Sequence, residues 1–422
     1  MREPARLHGL ANGVRVLFDP APGYQSVAIS VVAGRGARHE DATRNGWSHL
    51  LEHMVFKGAG GRGAAELVEA IEGEGGQINA ATGYERTSFQ ARALPEAFDL
   101  TLGVLADLVL HPRLDADDLA REKRVVAQEI AEAVDTPDDQ VFEQAQSVAF
   151  ADQALGRPIL GTEISLASAD PAALEAWRAQ LYAPERLVVS VAGAVDEARV
   201  LRQAEALFSA APGASVPAPE PAAFIGGAVA ETRRLEQAHL VFLVPAPGLA
   251  AGQYWTHRVV AEALGGGMAS RLFQEVRERL GLAYAIDAYA EAWADAGVLG
   301  IYAGCGAQDA GRVAEAVARE LVGFARRLSP EALARAKTQL KSGLLMARES
   351  LASRAEQAAT ELLTLGAVQP PAAHIEAIDR VGPEDLDAFE TTLRAPGACA
   401  VAILGPRKAA EAASRFQTAL FG

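Results

Sequence analysis

Strands followed by runs of helices, a proline-rich break at mid-chain and two halves that end alike point to an α+β chain made of two homologous domains. Apolar alternation predicts strands at 14–18 and 26–33, then a helix over 46–56 behind the Asn45-Gly46 turn. A helix at 64–72, a strand at 87–93 and long helices over 96–110 and 115–134 follow. The first half closes with an apolar strand at 187–193 and a helix ending in Ala206-Leu207-Phe208. The second closes with Cys399-Ala-Val-Ala-Ile-Leu-Gly405 and a helix ending in Ala419-Leu420-Phe421, about half a chain later. Between them, residues 210–228 carry Pro and Ala without hydrophobic periodicity, which marks a linker. The expected organisation is an N-terminal domain at 1–210, a linker at 211–228 and a C-terminal domain at 229–422.

Composition narrows the class. The 422 residues exceed one ordinary core and fit two domains, and with half of them hydrophobic the chain can bury both. A formal net charge of −15 argues against a nucleic-acid partner, whose recognition needs clustered Lys and Arg, and favours cationic peptides instead. Cys305 and Cys399 sit in apolar runs that read as buried strands, so no disulfide framework is expected. The first ten residues lack the apolar core of a secretory signal, and no uninterrupted apolar run reaches membrane-spanning length. A cytoplasmic protein without a membrane partner is the expectation.

The segment Gly46-Trp-Ser-His49-Leu-Leu-Glu52-His53-Met-Val-Phe-Lys57 carries the chemistry. On a helix His49 and His53 stand one turn apart on one face, with Glu52 beside them. Neutral imidazole is a preferred ligand for Zn²⁺, and a hydrolytic zinc site takes three protein ligands and leaves a position for water. Glu52, one residue before the second histidine, is better placed to take a proton from that water than to ligate. With only eight histidines in the chain, His-x-x-Glu-His arises by chance in about one such sequence in a hundred. The missing ligand should be a carboxylate on another rigid element. Glu122 and Glu129 lie two turns apart on one face of a strongly helical segment, and either could ligate while the other supports a histidine. Spacing does not choose between them.

These residues resemble the inverted-zincin peptidases, the pitrilysin or insulinase family and its branch containing mitochondrial processing peptidase. In that family a Glu ligand follows the His-x-x-Glu-His element at a long, nearly fixed interval, and the resemblance makes Glu129 the third ligand and Glu122 the supporting carboxylate. The segment Gly75-Gly-Gln-Ile-Asn79-Ala80-Ala-Thr82 is similar to the family's approach to its substrate-binding edge strand. Gly265, Gly266 and Gly267 match the family's glycine-rich loop, and Arg277 and Tyr284 match a pair that binds substrate carbonyls and stabilises the oxyanion. Arg157-Pro-Ile-Leu-Gly161-Thr and Leu10-Ala-Asn-Gly-Val-Arg-Val extend the likeness over nearly the whole chain. Trp47 departs from it, since smaller residues are usual there, and puts the packing of the helix in question.

The resemblance implies two α/β-roll domains forming one half of a clamshell, with one Zn²⁺ per chain. It implies a metalloendopeptidase that takes extended peptides or precursor segments by strand addition inside a closed chamber. Since one chain carries both the zinc set and the Arg-Tyr pair, a homodimer is the simplest arrangement, with a heterodimer with a sister subunit as its rival. The alternative function is a non-catalytic structural or assembly subunit, but such relatives should show a broken His-x-x-Glu-His or lack the Arg-Tyr pair.

Overall fold

The computed structural model describes residues 5–211, 217–393 and 399–422; residues 212–216 of the expected linker lie outside the described residues. The chain forms two compact units, each built on one sheet. None of the described helices is long and apolar enough to cross a membrane.

The first unit comprises residues 1–131, 158–220 and 346–370. Its strands are β1 (Arg6–Gly9), β2 (Arg15–Pro20), β3 (Val27–Ala33), the short hairpin pair β4 (Gly58–Ala59) and β5 (Arg62–Gly63), β6 (Gln77–Thr82), β7 (Thr87–Ala93) and β8 (Leu187–Gly193). The six-stranded sheet runs β1-β2-β8-β3-β7-β6, so β6 is an edge strand. Every residue of β3 is buried. That continuous apolar run is what a strand covered on both faces requires. Val27, Ile29 and Val31 join the core beneath the helices α1 (Trp47–Val55), α2 (Ala64–Glu72) and α3 (Phe98–Leu110), whereas Val32 joins Leu17 and Val188 under the helix Leu351–Leu365. The helix α4 (Ala116–Asp135) completes the elements around the site.

The second unit comprises residues 132–157, 221–345 and 371–422. Its strands β9 (Gly227–Thr232), β10 (Ala238–Pro247), β11 (Ala283–Ala292), β12 (Ala296–Cys305) and β13 (Ala400–Gly405) form a sheet in the order β9-β13-β10-β12-β11. Leaving β1 aside, both sheets follow one plan: first strand, last, second, fourth, third. In each, the first and last strands pair in parallel and all other neighbours are antiparallel. The two homologous domains expected from the sequence are thus visible as one repeated topology.

The compact units are not the contiguous stretches 1–210 and 229–422. The helix α5 (Pro137–Ala149), from the first half of the chain, turns Val141, Ala145 and Ala149 into the second unit and packs on β10, β13 and β9. The helix Leu351–Leu365, from the second half, covers the first sheet with Ala359 and Leu362. Each sheet has two apolar faces, and one of them is closed by a helix from the other half of the sequence. Cys305 and Cys399 are free and buried in the second unit.

Candidate metal centre

Helix α1 begins at Gly46, whose φ of 88° is left-handed; a Cβ there would stand 2.6 Å from the Leu160 carbonyl oxygen, so only glycine fits. Leu50, Leu51, Met54 and Val55 are fully buried, which leaves His49, Glu52 and His53 on the half-buried face. The first turn is held by a buried carboxylate. Glu40 accepts from the backbone N–H of Gly46 (2.8 Å) and of Ser48 (2.6 Å). Burial nevertheless pushes the Glu40 carboxyl up to about 6, against the pull of those bonds. Trp47, unexpected at its position, is buried and its indole N–H donates to the Ser165 carbonyl at 3.0 Å.

Helix α4 lays Glu122, Val126 and Glu129 along one stripe, of which Val126 is fully buried. Glu129 Oε2 lies 3.5 Å from His53 Nε2 and 3.9 Å from His49 Nε2, and the two imidazole centroids are 4.7 Å apart. Glu122 reaches the opposite nitrogen: its Oε2 is 3.2 Å from His53 Nδ1, and its Oε1 is 2.9 Å from Lys57 Nζ. The two glutamates that spacing left as alternatives therefore meet different atoms.

Three donors fit a zinc ion. Tetrahedral bonds of about 2.0–2.1 Å put neighbouring ligand atoms about 3.4 Å apart. Among the described residues, His49, His53 and Glu129 are the group of His, Cys, Asp or Glu whose donor atoms all fall within 4.8 Å of one another. Glu129 Oε2 is buried without a hydrogen-bond partner, a state that a cation would relieve. Burial first, and then the nearby His53, push the His49 imidazole down to about 4, so it is neutral and free to ligate.

Glu52 sits beside this cluster. Burial raises its carboxyl, opposed chiefly by a hydrogen bond in which Thr82 Oγ1 donates to Glu52 Oε2 at 2.5 Å. Thr82 ends β6, the strand that also carries Asn79 and Ala80. Along β6 the exposed residues Gln77, Asn79 and Ala81 alternate with the half-buried Ile78, Ala80 and Thr82. A cleft of about 720 Å³ follows this strand, lined by Phe56, Val68, Ile78 and Asn79. Sequence reasoning assigned no role to Thr82, Lys57 or Glu40. Only the alternation 78, 80, 82 could have placed Thr82 on the inner face.

The remaining expected residues belong to the second unit. The helix Tyr254–Gly265 ends at Gly265, where a Cβ would stand 2.2 Å from the Ala288 nitrogen; Gly266 caps it and Gly267 follows. A cleft of about 410 Å³ lies against Gly266, Gly267, Met268 and Arg335. Arg277 lies in a π-helical stretch, Phe273–Arg279, and Tyr284 is the extra residue where the register of β11 on β12 slips between Ala283 and Ala285. Both sit on irregular backbone of the kinds that re-aim side chains at functional sites. The guanidinium carbon of Arg277 is 5.7 Å from the Tyr284 ring centroid, and Tyr284 is 74% exposed.

Comparison with known proteins places the chain in a family. Residues 15–163 match the family described as insulinase (peptidase family M16), and residues 168–340 match the one described as the peptidase M16 inactive domain. The chain is 36% identical to an uncharacterized zinc protease of Rickettsia felis over 92% of this chain and 94% of that protein. It is also 36% identical to the uncharacterized zinc protease YmxG of Bacillus subtilis, over 84% and 87% of the two chains. In structure it is similar to a protease from Helicobacter pylori, with a TM-score of 0.89 at 18% identity over 96% of this chain and 100% of the other.

Proposed function

Because this chain belongs to the insulinase, or M16, peptidase family, we propose that it is a zinc-dependent metalloendopeptidase that hydrolyses extended peptides or precursor segments. The observation that carries this reading is the convergence of Glu129 Oε2 with the Nε2 atoms of His49 and His53, beside Glu52. His49, His53 and Glu129 would hold one ion per chain, and Glu122 orients His53 through Nδ1. When bound, zinc supplies Lewis acidity at the scissile carbonyl and lowers the pKa of the attacking water.

The chain's own groups do the rest. Glu52 takes the proton of the water as its oxygen bonds to the carbonyl carbon, then returns it to the amine as the C–N bond breaks. Strand β6, an edge, offers the backbone around Asn79 and Ala80 to an extended peptide, a recognition mode largely blind to side chains. Gly266 and Gly267, exposed beside the cleft of about 410 Å³, let further substrate backbone approach closely, whereas Gly265 is buried and makes room for Ala288 of its own chain. Arg277 and Tyr284 donate to substrate carbonyls and to the developing oxyanion. One chain carries both the metal-binding set and the Arg277–Tyr284 pair, so the simplest arrangement is a homodimer in which each metal site is completed by the pair of a second copy, with a sister subunit as the rival, and the two chains enclose a chamber.

The test is cleavage of a quenched, unstructured peptide library by wild type and by Glu52→Gln, with bound metal quantified in both. Cutting by wild type alone, with zinc retained in both proteins, is the expected result. Two zinc-loaded proteins that both cut nothing, alone and together with any subunit that co-purifies with the chain, would overturn it.

A further inference from the structure

We propose that Thr82 is the positioning residue of the general base: its hydroxyl fixes one oxygen of Glu52, so that the strand receiving the peptide also sets the group that moves the proton. The inference deepens the peptidase reading and rests on it. Thr82 Oγ1 stands 2.5 Å from Glu52 Oε2 and 3.5 Å from the Ser48 carbonyl oxygen. The single hydroxyl proton therefore goes to Glu52, since the longer contact is beyond an effective O–H···O bond. That bond ties the Glu52 carboxylate to the end of β6.

The donor is itself rigid. A β-branched side chain has few χ1 states, and Thr82 pairs with Thr87 across the β6–β7 ladder. Thr87 is fully buried and its hydroxyl donates to the Arg35 carbonyl at 3.1 Å, which pins the turn end of the hairpin. Glu52, by contrast, lies on a half-buried helix face with a flexible side chain that would otherwise sample several rotamers. Asn79 and Ala80 precede Thr82 on the same strand, so a peptide that pairs with β6 is registered against the carboxylate by one backbone segment.

The test compares Thr82→Val, which keeps the shape and loses the donor, with Thr82→Ser, which keeps the donor, in steady-state cleavage of an unstructured quenched peptide. Bound zinc and the thermal midpoint are measured on each protein, and Thr82→Ala replaces the valine variant should the latter fail to fold. The expected result is a kcat lower by about 10- to 100-fold for Thr82→Val, with KM within twofold, zinc content unchanged and most of the loss recovered in Thr82→Ser. A Thr82→Val protein with wild-type kcat overturns the proposal, as does a rise in KM alone, which would make Thr82 a substrate-strand residue. In both of those outcomes wild type still cuts and Glu52→Gln does not, so the peptidase reading stands. If wild type itself cuts nothing, alone and together with any subunit that co-purifies with it, that reading fails and this one falls with it.

Discussion

Glu122 Oε2 stands 3.2 Å from His53 Nδ1, on the side of the imidazole away from Glu129, and the other Glu122 oxygen pairs with Lys57. The carboxylate is buried, so its hold on the ring is little screened by solvent. A partner on the far nitrogen fixes the tautomer that leaves Nε2 with a free lone pair. Replacing Glu122 by Gln should therefore weaken zinc retention by about 10- to 100-fold while leaving the fold intact. Competition with a chromophoric chelator measures this, and unchanged retention would remove Glu122 from the site.

Glu129 and Glu52 should separate cleanly. Glu129→Gln replaces the anionic donor that meets both histidines, so zinc loss should exceed that of the Glu122 variant, beyond about 100-fold. Glu52→Gln should keep its zinc and lose about 10²- to 10⁴-fold in kcat. Metal analysis after gel filtration checks both. Zinc loss in the Glu52 variant would mean that Glu52 is a ligand.

Much of this was legible in the sequence, and the exceptions share a cause. Helix α1 was readable because Leu50, Leu51, Met54 and Val55 keep the helical period while two histidines four apart interrupt it on the other face. The strands β2, β3, β8 and β13 were readable as apolar runs between turns. Periodicity records that a face is covered, not by what, so neither α5 nor the helix Leu351–Leu365 could be assigned to its sheet. Glu122 and Glu129 share a helix face, and only the depth of each against His53 tells them apart. The π turn at Arg277 and the bulge at Tyr284 are one-residue irregularities that leave no periodic trace.

The helix Leu351–Leu365 is tied to its sheet by a buried ion pair, in which Arg354 Nε donates to Asp19 Oδ2 at 2.7 Å and Nη2 to Oδ1 at 2.5 Å. Asp19→Ala would leave the guanidinium buried and unpaired, at a cost of about 3–5 kcal/mol. Replacing both partners, Asp19→Leu with Arg354→Met, should recover most of that loss, because no charge is then stranded. Urea unfolding of the three proteins checks it. An Asp19→Ala protein within about 1 kcal/mol of wild type would show that water reaches the pair.

Glu40 makes the stability of the metal-bearing helix depend on pH. Its carboxyl is raised from 4.5 to about 6 by burial, so the folded state holds the proton more tightly than the unfolded chain does. The stabilisation from that proton is complete below pH 4.5 and is lost as pH rises through about 6. A shift of this size corresponds to about 2 kcal/mol. Glu40→Gln stays neutral at every pH and its amide oxygen can still accept from the Gly46 or Ser48 N–H. The stability difference between Glu40→Gln and wild type should therefore grow in favour of the variant between pH 4.5 and about 6 and then level off. Denaturant midpoints across that range measure it. A difference that stays constant would mean that the two backbone N–H groups compensate the carboxylate's burial in full.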